Sequence, residues 1–357
     1  MENRSKLKVG VLGCGVISQA AHLEACARAN NIELVAICDV AHDLVEKMVH
    51  KYNPKRAYTN YDEMLADPEV EAVIIGIADQ FHVPMAKKAV LAGKHVLVEK
   101  PLGVTVEECE ELEVIVKRSN LTFQVGNMKR FDPGIAYAKN FIKDEMGEML
   151  ALKAWYCDST YRYTVTENVM PVMASSDAAR KPEGNPKLDK QRYYMMTHGS
   201  HLVDTARLLG GEIESVHAWH TERFGAHSWL CTITYANGTV GQLDLTVAVR
   251  MDWHEGFQVY GEHGSVIAKT YNPWLFKASD VEVFSVKDGL YRKPLGADAH
   301  FYKLQLEGFA DTILNGAPMI GASIHDGVQN MRAMVALARS AEIGGEKVSL
   351  SEVTGGV

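Results

Sequence analysis

Lys6-Leu7-Lys8-Val9-Gly10-Val11-Leu12-Gly13-Cys14-Gly15-Val16-Ile17-Ser18 carries the first architectural signal in this chain. A short β-rich run, Lys6–Leu12, passes directly into a glycine turn. A helical pattern follows from about Val16 to Ala29, and a second apolar run, Ile32–Cys38, ends at Asp39. Strand, glycine turn, helix and strand within ~35 residues form the context that a dinucleotide-binding fingerprint requires. Gly13 permits the tight turn, Gly15 lets the backbone approach a pyrophosphate, and the helix start at Val16 and Ile17 offers free N–H groups to the anion. Ser18 stands where a third glycine is usual, and its small side chain still allows helix and strand to pack closely. Asp39 lies 21 residues beyond Ser18, where a carboxylate pairs with the adenosine ribose. Such a carboxylate repels a 2′-phosphate. No Arg follows within Val40-Ala41-His42-Asp43, so the spacing predicts NAD over NADP.

The alternation continues downstream. Helix-like Ala41–Tyr52 is followed by Tyr61–Ala66 and then by the buried-strand run Ala72–Ile77. Pro84–Ala92 reads as a helix with Pro at its start and Gly93 at its end. His95–Glu99 reads as a strand, Thr105–Ser119 as a helix opened by the capping sequence Thr105-Val106-Glu107-Glu108, and Thr122–Val125 as a sixth strand. This pattern predicts a mostly parallel, doubly wound α/β sheet with helices on both faces.

The remaining bulk properties set outer limits. A chain of 357 residues exceeds one ordinary core and predicts two domains. Lys and Arg total 37 against 45 Asp and Glu, a balance of −8 that disfavours nucleic acid or anionic membrane as the main partner. No apolar run approaches the ~20 residues of a bilayer span. The opening MENRSKLKVGVLGCG carries no signal-peptide pattern, so a soluble, cytoplasmic protein is expected. Six scattered cysteines without a CxxC pair read as reduced, mostly buried thiols, and no metal is expected.

The most specific segment is Gly93-Lys94-His95-Val96-Leu97-Val98-Glu99-Lys100-Pro101. Together with Gly13-Cys14-Gly15, His22 and His82 it closely resembles the glucose–fructose oxidoreductase / inositol dehydrogenase (Gfo/Idh/MocA) family of NAD(P)-dependent oxidoreductases. Arg130-Phe131-Asp132-Pro133 is similar to the start of that family's second domain, and Gly199-Ser200-His201-Leu202-Val203-Asp204 to its active-site helix. Phe301–Asn315 and His325–Gly344 are similar to its closing helices. The resemblance implies an N-terminal Rossmann domain, here 1–126, and a C-terminal α+β domain, here 127–357, on an open antiparallel sheet that commonly forms the oligomer interface. It implies sugars or cyclitols as substrates, Lys100 holding the reacting hydroxyl, and Glu99 framing the nicotinamide ribose. Asp79, His82, Glu99 and Lys100 join Gly13, Gly15, Val16, Ile17 and Asp39 as candidate cofactor contacts. Independently, a lysine at the carboxyl end of a parallel strand sits where α/β sheets bind ligands, and burial with a nearby acid can tune it.

Beyond the fingerprint domain, Leu150–Tyr156 is strand-like, while Ser159–Arg192 lacks periodicity and reads as a lid or substrate-side excursion. His198–Leu209 reads as a helix capped by Thr197 and ended by Gly210-Gly211. His201 and Asp204, at i and i+3, share one face, so Asp204 is expected to support the imidazole. Relatives place an Asp four residues before that histidine; here the position is Thr197, which breaks the Lys–Asp–His triad and leaves His198 as a further contact. Val216–Thr221, Trp229–Tyr235, Val240–Thr246, Phe257–Gly261 and Ser265–Lys269 alternate as strands, with a hairpin at Asn237-Gly238. His217 and His220, three apart on a strand, point to opposite faces.

The expected chemistry is NAD-dependent oxidation of a secondary alcohol, with His201 as general base and Lys100 polarising the same oxygen. Arg130, Tyr156, Asp158, Thr197 and His198 are the candidate substrate contacts. A lyase or glycosidase that oxidises its substrate transiently, and a non-catalytic NAD-binding regulator, are the rival readings. Trp219, Trp229, Ile233, Tyr235, Leu243 and Leu245 are expected on the core face of the second sheet. His220, Thr232, Thr234, Gln242 and Thr246 form the opposite, weakly charged face, which predicts a homodimer or homotetramer.

Overall fold

Leu7–Leu12 (β1) pairs in parallel with Ile32–Cys38 (β2) on one side and Ala72–Ile75 (β4) on the other. Arg56–Tyr58 (β3), His95–Val98 (β5) and Phe123–Val125 (β6) complete a six-stranded sheet in the order β3-β2-β1-β4-β5-β6, every pairing parallel. In this computed structural model, residues 6–159, 170, 172–180, 184, 187–297 and 299–357 are described. They fall into two units. The first comprises the chain up to Met128, Met170–Asn185 and Tyr302–Val328; the second comprises Lys129–Val169, Pro186–Phe301 and Gln329–Val357.

In the first unit, β4 is buried at all four residues and β5 at three of four, as expected for strands covered on both faces. Helices at His42–Tyr52, Tyr61–Ala66, His82–Leu91 and Val106–Arg118 alternate with the strands. The last begins with the expected capping box, in which Thr105 accepts from the Glu108 N–H and the Glu108 carboxylate accepts from the Thr105 N–H. Tyr61–Ala66 is a helix capped by Asn60. The short edge strand Arg56–Tyr58 is not among the strands read from the sequence, and its largely exposed residues carry no burial pattern to read.

The second unit is built on nine strands. Met149–Ser159 (β7), Ile213–Arg223 (β8), Ala226–Tyr235 (β9), Val240–Val249 (β10), His254–Gly261 (β11), Gly264–Thr270 (β12), Asp280–Ser285 (β13), Leu290–Arg292 (β14) and Val348–Ser349 (β15) lie in the order β14-β13-β12-β11-β7-β10-β9-β8-β15. All pairings are antiparallel except β7 with β10, so the expected antiparallel sheet carries one parallel pair at its centre. The Asn237-Gly238 turn joins β9 to β10. Gly238 takes φ +85° there, and the Asn237 side chain accepts from the Thr239 N–H.

Trp229, Ile233, Tyr235, Leu243 and Leu245 are buried on one face, against helices that include Ser200–Gly210. The Tyr235 hydroxyl donates to the Ala206 carbonyl within that packing. Two expected positions are exchanged. His220 pairs across the sheet with Trp229 and stacks on it at 4.5 Å, so it belongs to the inner face. Trp219 pairs with Leu230 on the outer face, where the two are 53% and 57% exposed. Cross-strand partners share a face, and the actual pairing assigns these two residues opposite to the expectation. Among the described residues no helix is long and apolar enough to cross a membrane. All six cysteines are buried and unpaired.

Candidate active site

In the first unit the glycine turn follows β1 with Gly13 at φ +98°. A Cβ on Gly13 would stand 2.4 Å from the Gly76 carbonyl oxygen, so only glycine fits between the ends of β1 and β4. A Cβ on Gly15 would meet nothing within 4 Å, which leaves its backbone open to a ligand. Ser18 does what a third glycine would do. Its hydroxyl donates to the Gly76 carbonyl at 3.2 Å, and a Cβ on Gly76 would lie 2.5 Å from that hydroxyl. A cleft of ≈ 610 Å³ opens at this turn and is lined by Gly13, Gly15, Val16, Ile17 and Asp39, with Phe81 and Arg180 on its wall. The open cradle at Gly15 and the carboxylate at the end of β2 fit a dinucleotide.

Asp39 is held by the backbone of the turn itself. One carboxylate oxygen accepts from the Cys14 N–H at 2.7 Å and the other from the Ala41 N–H at 2.9 Å. Asp79 is half-buried in a short 3₁₀ turn, and its side chain accepts from the Gln80 N–H. His82, expected as a cofactor contact, has both ring nitrogens on backbone carbonyls, Pro101 at 2.7 Å and Ile77 at 3.0 Å. The ring therefore bridges the loop after β5 and the loop after β4.

Lys100 follows β5 by two residues, and the Lys100–Pro101 peptide is cis. Its N–H donates to Glu99 Oε2 at 3.1 Å, while Glu99 Oε1 accepts from His22 Nε2 at 2.9 Å. His22 is fully buried and Glu99 nearly so. Burial works against the Glu99 charge, but the His22 hydrogen bond and the charges of His22 and Lys100 outweigh it and hold the carboxyl below its ordinary value. The His22 partnership joins two motif residues 77 positions apart, a link that spacing alone does not reveal.

In the second unit the site helix starts earlier than expected. Lys190–Tyr194 is α-helical with Asp189 as its N-cap, Met195–Gly199 is a π-turn, and Ser200–Gly210 resumes the α-helix. Thr197 is thus inside a helix and caps nothing: its hydroxyl donates to the Tyr193 carbonyl at 2.6 Å. Gly211 ends the helix at φ +94°. A π-turn adds a residue to one helical turn and re-aims the side chains on it, a distortion frequent at functional sites.

His198, on that turn, lies 3.4 Å from the Asp158 carboxylate and 3.5 Å from the Tyr156 hydroxyl. The His201 ring is parallel to Tyr156, with centroids 5.9 Å apart. Tyr156, Asp158, His198 and His201 therefore form one cluster. Arg130 and Asp204 pair with each other. Asp204, expected to support His201, receives Arg130 Nη2 at 2.7 Å, Arg130 Nε at 3.0 and 3.1 Å, and Asn330 at 2.9 Å. Both members of the ion pair are buried, so Arg130, a candidate substrate contact, also anchors the helix through Asp204.

Three further residues border the cluster. Lys129 sits 4.5 Å over the Tyr156 ring and 5.6 Å from Trp253, and it pairs with buried Glu255. Burial pulls the Lys129 ammonium below its ordinary value, only partly opposed by the Glu255 charge; burial likewise pushes the Glu255 carboxyl up. Lys129 immediately precedes the Arg130-Phe131-Asp132-Pro133 motif, which was the available signal. Glu255 and Trp253, at the start of β11, carried none.

Comparison with known proteins identifies the family of the two domains. Residues 7–127 match the model of the oxidoreductase family with an NAD-binding Rossmann fold, and residues 167–267 match the family's C-terminal domain. The chain is 25% identical to the Bacillus subtilis uncharacterized oxidoreductase YrbE over 95% of both chains. It is 34% identical to Salmonella typhimurium inositol 2-dehydrogenase over 40% of this chain and 44% of that one. Among solved structures, levoglucosan dehydrogenase in complex with NADH and L-sorbose has TM-score 0.80 at 21% identity, covering 98% of this chain and 100% of that chain. Apo scyllo-inositol dehydrogenase from Lactobacillus casei has TM-score 0.75 at 20% identity, covering 98% and 99%. With the fingerprint turn, the Glu99-Lys100-Pro101 strand end and the two-domain match all in one chain, the protein belongs to the Gfo/Idh/MocA oxidoreductase family and carries its NAD-binding Rossmann domain.

Proposed function

We propose that the protein is an NAD-dependent dehydrogenase that removes hydride from a secondary alcohol of a sugar, glycoside or cyclitol. The observation that carries this reading is Lys100, just beyond β5 in the same parallel sheet whose β1 and β2 ends bear the glycine turn and Asp39. Ligands of such sheets bind outside the carboxyl ends of the strands. The nicotinamide, when bound, supplies the hydride acceptor. The protein's part is proton handling and placement. Lys100 polarises the substrate hydroxyl, and His201 takes its proton as general base. Glu99, fixed by His22, keeps the Lys100 backbone in place through its hydrogen bond.

The second unit supports a polyol as substrate. Trp253, half-buried and edge to face with Tyr156 at 5.1 Å, offers apolar ring surface to C–H groups. Asp158 and His198 offer polar atoms to hydroxyls. A site for a carbohydrate needs both kinds of surface, and the relatives named as inositol 2-dehydrogenases agree with it.

A screen of sugars, cyclitols and glycosides with NAD, followed by NADH absorbance and product analysis, tests the reading. NADH formed in step with a ketone product is the expected result. Bond cleavage without NADH accumulation would replace it with transient oxidation, and NAD binding with no turnover of any substrate would favour a regulator. With a substrate in hand, Lys100→Met and His201→Ala should each lower turnover ~10²–10⁴-fold and leave the NAD Kd within a few fold. Near-normal turnover in His201→Ala would move the base elsewhere, with His198 tested next.

A further inference from the structure

Residues 172–180 return to the first unit from far downstream in the sequence and are tied to its nucleotide-binding elements. Gln19, buried one residue beyond Ser18, pairs both ways with the Ala174 backbone. Its Oε1 accepts from the Ala174 N–H at 2.8 Å, and its Nε2 donates to the Ala174 carbonyl at 2.9 Å. The same Nε2 donates to the Cys14 carbonyl at 2.8 Å, so one amide joins the glycine turn to the returning segment. Two residues on, the Ser176 hydroxyl donates to Asp43 at 2.6 Å, and Lys47 donates to the Ser175 carbonyl at 3.2 Å. Past these anchors, Ala179 and Arg180 form part of the cleft wall.

The charges of that wall single out Arg180. Asp39 is held by two backbone N–H groups, and Lys88 is paired with Asp62 at 2.9 and 3.0 Å. The Arg180 guanidinium rests on the Phe81 ring at 4.4 Å and has no carboxylate partner among the described residues. Stacking on an aromatic ring fixes the plane of a guanidinium while leaving its N–H edge available. A dinucleotide brings two phosphate charges into this cleft. Guanidinium–phosphate contacts are charge-assisted and among the strongest polar pairs.

We propose that Arg180 is a cofactor-binding residue that contacts the pyrophosphate of the bound dinucleotide, and that segment 172–180 is the strap that holds it there. The inference rests on the cleft being the cofactor site. It adds a contact supplied from outside the fingerprint, and it places control of cofactor release in the strap.

The test is a fluorescence titration and stopped-flow dissociation of NADH and NADPH, with adenosine as a competitor. Arg180 is exposed, so Arg180→Ala should fold normally, which thermal unfolding without cofactor checks. The expected result is a Kd raised on the order of tenfold for NADH and NADPH alike, faster dissociation of both, and unchanged adenosine competition. Ser176→Ala keeps the guanidinium and unties the strap from Asp43; it should speed dissociation several-fold. Four results would overturn the proposal: Kd and dissociation unchanged in Arg180→Ala, a loss confined to NADPH, an equal loss for adenosine, or unchanged dissociation in Ser176→Ala. Failure of the wild type to bind NADH would overturn the assignment of the cleft as well, which separates the two failures.

Discussion

Asp39 serves two partners, and that shapes how it can be tested. Its carboxylate accepts from the glycine turn at Cys14 and from Ala41, while its place in the cleft suits the adenosine ribose hydroxyls. Asp39→Ala should therefore weaken NAD more than NADP and narrow the gap between them, because the same change removes a ribose partner and the repulsion of a 2′-phosphate. Titration of both cofactors against wild type and variant checks this. A wild type that binds NADP at least as tightly as NAD would end the argument. Asp204 is a different kind of acid. With Arg130 and Asn330 around it and all three buried, removing the carboxylate breaks a buried ion pair from one side, which costs ~3–5 kcal/mol. Urea unfolding of Asp204→Ala should show a loss of that size, and a stability within ~1 kcal/mol of wild type would refute the anchor role on the same scale.

The helix that carries His198 and His201 is governed by its start and its π-turn. Because Asp189 accepts from the Arg192 N–H at 3.0 Å, Asp189→Ala should cost ~0.5–2 kcal/mol as the loss of an N-cap. Thr197→Ala removes one hydroxyl-to-carbonyl bond inside the helix and gains helix propensity. Its stability should change by less than ~1 kcal/mol, with turnover nearly unchanged. Thermal unfolding of the two variants side by side decides the order. A larger loss from Thr197→Ala, or a marked rise in KM without loss of stability, would give Thr197 a role in the site. Reading the cap at Thr197 was reasonable, since threonine before an amphipathic run is the usual signal. The signal failed because the π-turn continues the helix through it, and hydrogen bonds of the i→i+5 kind leave no compositional mark.

On the scale of the assembled molecule, the outer face of the nine-stranded sheet is the feature that asks for a partner. Trp219, Leu230 and Ile267 are 53%, 57% and 47% exposed on it, among Thr232, Gln242 and Gln258 but also Lys153, Asp244 and Glu282, so the face carries more charge than expected. Large apolar side chains this exposed are costly to leave in water, and a twofold axis lets one patch cover its own copy, with charges of both signs free to pair across it. We propose a homodimer, or a homotetramer built from such dimers. Light scattering at micromolar concentration should give at least twice the mass of one chain. Trp219→Glu together with Leu230→Lys should shift that mass downward. A strict monomer, unchanged by NAD, would remove the interface.

What the amino-acid order determined by itself is local and periodic. The parallel sheet could be read because strands buried on both faces are continuous apolar runs, and the turn because Gly13 and Gly15 meet steric demands written into adjacent residues. The antiparallel pairs around Asn237-Gly238 were legible for the same reason. The parallel β7–β10 pairing, the exchange of Trp219 and His220 between faces, and the partners of Arg130 and His82 were not. Each depends on which distant group reaches a residue first. Asp204 meets Arg130 across 74 positions, and Ala174 meets Gln19 across 155. Spacing along a chain describes which side chains share a face; only packing decides which distant groups satisfy them, as buried polar groups must be satisfied.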